Sequence, residues 1–555
     1  MSDGVKNAFA KLVRGDLSPL RRKLWAVRHL RQRDREYTRW VEAYGSLPEA
    51  RRTAIQHEAE SMDGPLISVV MPVYNVDERW LRVAVESVIT QLYPNWELCL
   101  ADDASSVPHI RPLLEEFAAG DPRIRVIFRE RNGNISAASN SALELATGEF
   151  VALMDHDDVL AEDALFQVAT VLARKPETDL VYTDEDKIDE RGRRFHPMIK
   201  PDWSPEMMLS INLVTHLCVF RRSIIREIGG FREGFEGSQD YDLALRFIER
   251  TASDRIKHIP HILYHWRAIP GSVALASGEK NYAHDRARIA LNEHFERVGI
   301  SAHSVPGVYE MHRAKYAVPS GMRISVIGNG SGIGQLIQPA CDAQFEIIEL
   351  DNNADYAELN RAAVRSTGDV LIFVTGAIRD AANGWAEELA VRAMLDGVGA
   401  VGGKIADAGC RILHTGYLLG VAGGVGRAHY GYPADFYGEF VRLAVDQNFS
   451  AVSVDLMAVR RELFLEVGGF KASDFPHSGA DIDLCLRLAA SGHRTVWTPW
   501  ASITADAVRP VPSGEYLDRL RERWPDAFER DPFYNPNLTL ENEDLGFAFP
   551  PRVER

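Results

Sequence analysis

Residues 149–158, Glu-Phe-Val-Ala-Leu-Met-Asp-His-Asp-Asp, close an apolar run on three carboxylates, Asp155, Asp157 and Asp158. A buried strand that empties acidic side chains at its C-terminal end offers hard oxygen ligands. Such ligands suit Mg2+ or Mn2+, and ions of this kind hold a substrate diphosphate. Alone, the same pattern is equally a strand followed by a solvated acidic turn, so the other strand ends must decide. Asn75 and Asp103 each follow a short run rich in apolar residues. Together with Asp155 to Asp158 they make three independent polar strand ends.

The elements that would position these residues alternate. The pattern predicts strands at 66–71, 96–100 and 124–128, helices at 80–91 and 136–146, and then the strand that ends at Asp155. Strand and helix alternation with short links implies a mainly parallel sheet covered on both faces. Ligands on such sheets sit beyond the carboxyl ends of the strands, where these polar ends fall. The fold class expected is therefore α/β, Rossmann-like.

At 555 residues the chain exceeds one ordinary core. Four parts are expected: a basic helical extension (1–60), a first α/β domain (61–310), a second (320–510) and a tail (511–555). The net charge of −16 excludes a general nucleic-acid binder, because phosphate contacts need a basic surface. Five scattered cysteines without a C-x-x-C pair argue against disulfides and structural zinc and for a cytoplasmic protein. No apolar run reaches the ~20 residues that span a bilayer, and no signal peptide opens the chain. Residues 1–40 mix Lys and Arg with Leu20, Leu24, Trp25, Val27, Leu30 and Trp40, in helices broken near Gly15 and Pro19. A cationic amphipathic helix lies on anionic headgroups, which would make the protein peripheral at the inner face of the cell membrane. The same helix could instead pack on its own domain.

The segment from Ser325 to Asp506 echoes the first domain. Residues 362–373 (AAVRSTGDVLIF) parallel 141–153 (SALELATGEFVAL), and VGGF at 467–470 with GADIDLCLR at 479–487 parallels IGGF at 228–231 with GSQDYDLALR at 237–246. Where the first copy has Met154 to Asp157 the second has Val374 to Ala377, with no carboxylate.

PVYN at 72–75, ADDAS at 101–105, NGNISAASN at 132–140, DHDD at 155–158 and SQDYDL at 238–243 resemble family 2 glycosyltransferases, inverting enzymes of the GT-A fold that use nucleotide-sugar donors. KPDWSP at 200–205, LYHWR at 263–267 and DPFYNPNLTL at 531–540 resemble the subgroup, including rhamnosyltransferases, that builds surface polysaccharides such as O-antigen. The resemblance implies that Pro72, Val73, Tyr74 and Asn75 line the nucleotide and that Asp103 accepts a hydrogen bond from its base. Asp155 would face the ribose, with Asn140 also on the nucleotide side. Asp157 would bind Mn2+ or Mg2+, with His265 a candidate further ligand and Arg267 a phosphate contact. Asp240 takes the position of the catalytic base. Lys200, Asp202, Trp203 and Gln239 are candidates for sugar or acceptor contacts. The implied partners are a dTDP-, UDP- or GDP-sugar donor and a glycan or lipid-linked glycan acceptor.

The chain departs from the family pattern at Asn134 and Ser139, where Gly and Arg are frequent, and at Gln239, where an acid often precedes the base. Asp242 is expected to cap or solvate its helix, Asp184 and Asp186 to make sugar or loop contacts, and His156 to act as a spacer. His196, His216, His258 and His261 lack metal-ligand spacing and are read as structural. The second copy keeps Asp481 at the base position without a diphosphate clamp, which predicts an inactive domain that holds acceptor or partner. Two other readings are a bifunctional enzyme and a non-catalytic glycan-binding scaffold. A dinucleotide-dependent oxidoreductase is disfavoured, since PVYN and not G-x-G-x-x-G follows the first strand.

Overall fold

The computed structural model describes residues 18–269, 281–308, 311–329, 332–351 and 354–553. Strand β1, Ile67–Val73, is buried along its whole length, as a strand with both faces covered must be. It pairs in parallel with β2 (Trp96–Asp102) and β4 (Phe150–Leu153), and β2 pairs in parallel with β3 (Ile124–Phe128). Three more short strands follow in the chain: β5 (Val159–Leu160), β6 (Leu180–Ile188) and β7 (Arg194–Met198). The last two are β8 (Cys218–Arg221) and β9 (Ile256–Arg267). The sheet runs β3-β2-β1-β4-β8-β6-β9-β5, with β7 beside β6. Strand β8 is antiparallel to β4, so its first residues meet the end of β4 that carries the acidic run.

A second sheet repeats this order. Gln344–Leu350, Arg323–Asn329, Val370–Val374, Met457–Arg460, Val398–Ala406, Arg494–Ala505 and Ile378–Ala381 stand in the places of β2, β1, β4, β8, β6, β9 and β5. The correspondence extends to hydrogen bonds. Ser68 Oγ donates to Glu97 (2.6 Å) and accepts from Gly148 N (2.9 Å), and Ser325 Oγ does the same with Glu346 (2.5 Å) and Gly368 N (2.8 Å). Arg246 joins Asp242 to the carbonyls of Ile228 and Gly230, as Arg487 joins Asp483 to those of Val467 and Gly469. The two halves are diverged copies of one α/β unit, and their cores meet where Val391 and Val445 pack into the first half's cluster.

The N-terminal helix, Ser18–Tyr44, is continuous. No break occurs at Pro19 because it lies in the first turn, where its missing N–H is not needed. Its aromatic side is spent on the protein itself. Trp25 packs edge-on against Tyr432 (5.0 Å) and Phe436 (5.5 Å) of the second half, while Tyr37 and Trp40 pack with Ile262 and Phe547. Tyr37 also donates to Asp186. Trp40 is buried by these contacts and Trp25 half-buried.

The tail after residue 510 is a seam between the two halves. Asn535 Nδ2 donates to Asp184 Oδ2 (2.8 Å) and to the Lys200 carbonyl (2.9 Å), and Asn537 Nδ2 to the Pro260 carbonyl (2.8 Å). Asp531 accepts from Leu419 N (2.9 Å) and Ser450 Oγ (2.7 Å) in the second half. Phe547 N donates to Glu36 of the N-terminal helix (2.7 Å).

Candidate active site

The acidic loop after β4 is built as a braced platform. His156 Nδ1 bonds the Pro72 carbonyl at the end of β1 (3.0 Å). Asp158 is fully buried and accepts from Tyr264 OH (2.5 Å) and Arg267 N (2.7 Å) on β9. Tyr264 OH in turn accepts from Asp155 N (3.2 Å). Arg267 Nε donates to the Asp157 carbonyl (2.6 Å), and its guanidinium lies 4.2 Å over the Trp80 ring. Pairing of Val159 with His265 completes the clasp. Asp158 is thus the brace, while the Asp157 carboxylate has no hydrogen bond among the described residues.

Burial pushes the carboxyl groups of Asp155 and Asp158 up, and their proximity to Asp157 pushes them further. Asp240 adds to the effect on Asp155, so the two carboxyl groups lie near enough to interact. Such a cluster gains from any cation that enters it. Among the described residues no three His, Cys, Asp or Glu side chains converge as a closed metal cage. One or two carboxylates, completed by phosphate oxygens and water, are what Mg2+ or Mn2+ takes beside a diphosphate, and Asp157 fits that use.

Asp240 lies in the first turn of the helix Gln239–Ile248, where the helix dipole favours a carboxylate. Its Oδ2 accepts from Asn212 Nδ2 (2.9 Å) and Thr215 Oγ1 (3.4 Å). Those residues precede β8, which delivers them to the end of β4. The next residue, His216, is held by Glu185 through Nδ1 (2.7 Å) and through its backbone N–H (2.9 Å), and its ring stacks on Tyr264 (4.7 Å). Burial alone would lower the His216 pKa, but Glu185, Asp155 and Asp158 outweigh it and lift it to about 9. An imidazolium therefore sits among the acids of this site, and the reading of His216 as merely structural is corrected. The signal was present: Asn212, Thr215 and His216 are polar residues leading into an apolar strand, the mirror image of the acids that end β4.

The β1 and β2 ends do converge on the site. Val73 O accepts from Asp103 N (2.9 Å), and Asn75 Oδ1 accepts from Ser106 N (2.8 Å) and Val107 N (3.2 Å), while Tyr74 is exposed. The Asp103 carboxylate is already engaged by Gly133 N (3.0 Å) and Arg129 (3.3 Å), so it fastens the Asn132–Asn134 loop.

Several candidates are engaged by other parts of the protein. Asn140 clamps the turn at Phe231, donating to its carbonyl (2.8 Å) and accepting from its N–H (2.9 Å). Gly230 beside it has φ +70°, and a Cβ there would lie 2.6 Å from Asn140 Oδ1. Lys200 is fully buried and donates to the Thr215 and His216 carbonyls, so it supports the site from below. Asp202 bonds His258 (3.1 Å) and Arg530 (3.0 Å), and Trp203 Nε1 donates to Ser253 Oγ (3.2 Å) ahead of β9. Gln239 accepts from Gly237 N (2.7 Å) at the start of its helix. Arg267 is buried in the loop clasp. His265 gives Nδ1 to Asp186 (2.6 Å), the contact that orients a ligating imidazole. Asp242 is no cap: it is buried and paired with Arg232 and Arg246. Asp184 and Asp186 are likewise buried, holding tail and helix.

A model of Glycosyl transferase family 2 matches residues 68–229. EpsE of Bacillus subtilis, which bears a glycosyltransferase name, is 33% identical over 34% of this chain and 68% of its own length. The chain belongs to glycosyltransferase family 2. Protein y4gI of Sinorhizobium fredii is 39% identical over 88% of this chain, and the O-antigen biosynthesis protein RfbC of Myxococcus xanthus is 33% identical over 92% of it. The chain spans only 59% and 43% of the length of those two relatives. Alignments of that breadth take in most of the second half of this family 2 chain as well as the first.

In the second half the described residues at the corresponding place bond one another. Thr375, where Asp155 stands in the first copy, donates to Asp455 (2.6 Å). Arg509 closes over the pair, its N–H on Asp455 (2.7 Å), its Nε on Thr375 Oγ1 (3.1 Å) and its Nη2 on the Ala354 carbonyl (2.9 Å).

Proposed function

We propose that the chain is a metal-dependent inverting glycosyltransferase that moves a sugar from a dTDP-, UDP- or GDP-linked donor to a growing, lipid-linked surface polysaccharide. The observation that carries this reading is Asp240 held by Asn212 and Thr215, in the segment that leads into β8, which runs antiparallel to β4 and its acidic end. Membership of family 2 supports a nucleotide-sugar donor, and the name of RfbC supports a polysaccharide product.

In this reading Asp240 takes the proton from an acceptor hydroxyl as that oxygen attacks the anomeric carbon from the side opposite the diphosphate. Asn212, bonded to Oδ2, fixes the carboxylate, and Oδ1 has no hydrogen bond among the described residues. One base and one displacement invert the anomeric centre. Asp157 would hold Mn2+ or Mg2+, with His265 the candidate second ligand, and the ion would supply charge neutralisation for the leaving diphosphate. Asp155 would meet the ribose. The Asn75 and Asp103 loops would wall the nucleotide. In this reading the second half adds no transfer centre, since Arg509 bonds Thr375, which stands in the place of Asp155, and it serves instead to hold acceptor or partner.

The test is release of nucleoside diphosphate from a panel of nucleotide sugars by the purified chain with Mn2+. Asp157→Ala and Asp240→Asn are each expected to abolish it. Full turnover in either variant would sink the assignment.

A further inference from the structure

The outward face of the N-terminal helix is built to lie on something. Its inner face is consumed by the protein, but Leu20, Leu24, Val27 and Leu30 are 41–50% exposed. Between and beyond them stand Arg21, Lys23, Arg28, Arg31, Arg35 and Arg39, all exposed. No exposed position from 20 to 39 is acidic, on a chain whose net charge is −16. None of the six cations forms an ion pair among the described residues, whereas the inward Arg22 and Arg33 are paired with Asp435 (2.9 Å) and Glu36 (3.7 Å). Arg28, Arg31, Arg35 and Arg39 line an open concavity of about 720 Å³ with Gln32 and Thr38.

From this face we propose that the helix docks the protein onto an anionic lipid bilayer, its leucine strip entering the interface and its arginine row holding lipid phosphates. Three observations select this occupant. The four apolar side chains are spaced along one strip, which suits shallow burial in a planar interface better than a pocketed protein contact. The guanidinium row matches a surface of repeated phosphates, which arginine binds bidentately. At 27 residues the helix is about 40 Å long, so it covers many headgroups at once. The rest of the chain, being acidic, is repelled by the same surface, so contact is confined to this helix.

Docking here also fixes the orientation of the active site. Tyr37, on the opposite face of the helix, donates to Asp186, whose other oxygen bonds His265 beside the acidic loop. The inference is independent of the glycosyl-transfer reading: vesicle binding is scored without any donor sugar.

The experiment is co-sedimentation of the full chain with phosphatidylcholine vesicles, with and without phosphatidylglycerol. Partitioning onto the anionic vesicles alone is expected, weakened by salt. Arg28→Gln/Arg31→Gln/Arg35→Gln/Arg39→Gln should reduce it by at least about tenfold, because each cation near the surface adds roughly equally to binding. Leu20→Ser/Leu24→Ser/Val27→Ser should leave only weak, salt-labile binding. Neutralising Arg226, Arg250, Arg361 and Arg365, exposed elsewhere, should change nothing. All three variants alter exposed side chains, and an unchanged melting curve verifies their fold. Absence of vesicle binding, or equal loss in the control variant, overturns the proposal.

Discussion

Asp240 and Asp481 occupy the same first-turn position on equivalent helices, yet their surroundings are opposite. Asp240 is held by one oxygen through Asn212 and Thr215, whereas both oxygens of Asp481 are taken, by Val454 N (3.1 Å), Tyr417 OH (3.3 Å) and Ile482 N (3.0 Å). Asp481 is also buried, which pushes its carboxyl up and away from the charged state a base needs. Asp240→Asn is therefore expected to lower turnover by about 10³-fold, while Asp481→Asn leaves turnover unchanged. Steady-state rates of diphosphate release compare the two directly.

Arg509 is a structural counter-ion in the second half. Its removal leaves Asp455, 1% exposed, without its cation. Breaking a buried pair from one side costs about 3 kcal/mol, so Arg509→Ala should lower denaturant stability by that order. Donor turnover in the first half should persist under native conditions. A stable Arg509→Ala protein would show that the second copy tolerates an opened site.

Asn140 was expected on the nucleotide and is found on a turn. Asn140→Ala should cost about 2 kcal/mol through two lost backbone hydrogen bonds at a buried turn, with the KM for the donor unchanged. Asn360→Ala should cost about the same, because Asn360 makes the same two bonds to Phe470 (2.8 and 2.9 Å). A raised KM in Asn140→Ala alone would return that residue to the nucleotide.

The His216 pKa implies a pH window for stability. It is raised in the folded chain from 6.5 to about 9, so the stabilisation it brings is complete below pH 6.5 and is lost as pH climbs through 9. The melting temperature of the wild type should fall across that interval. His216→Gln should be less stable at neutral pH and flatter over the window. Differential scanning fluorimetry across pH reads both, and parallel profiles would remove His216 from the acidic cluster's charge balance.

The α/β class and the convergence of Asn75, Asp103 and Asp155–Asp158 were legible because strand burial and strand ends are local properties of the chain. The duplication was legible too, since IGGF and VGGF each need the glycine whose Cβ would strike an asparagine. What could not be read was which polar residues are consumed internally. Lys200, Asp184 and Arg267 look like ligand contacts in sequence, and only partners from far along the chain show them to be supports. Asn212 and His216 were passed over for the converse reason: their importance comes from β8 running antiparallel to β4, a pairing that spacing does not reveal.

The bond from Asn535 to Asp184 spans 351 positions, and Lys200 N (2.9 Å) and His258 (2.9 Å) crowd the other oxygen of the same buried carboxylate. During synthesis the first sheet can assemble long before Asn535 leaves the ribosome, but its Asp184 then lacks an amide made for it. Maturation of the amino-terminal half thus waits on residues made 351 positions later, and a nascent chain arrested ahead of them holds an unfinished interior in a sheet that already has every strand.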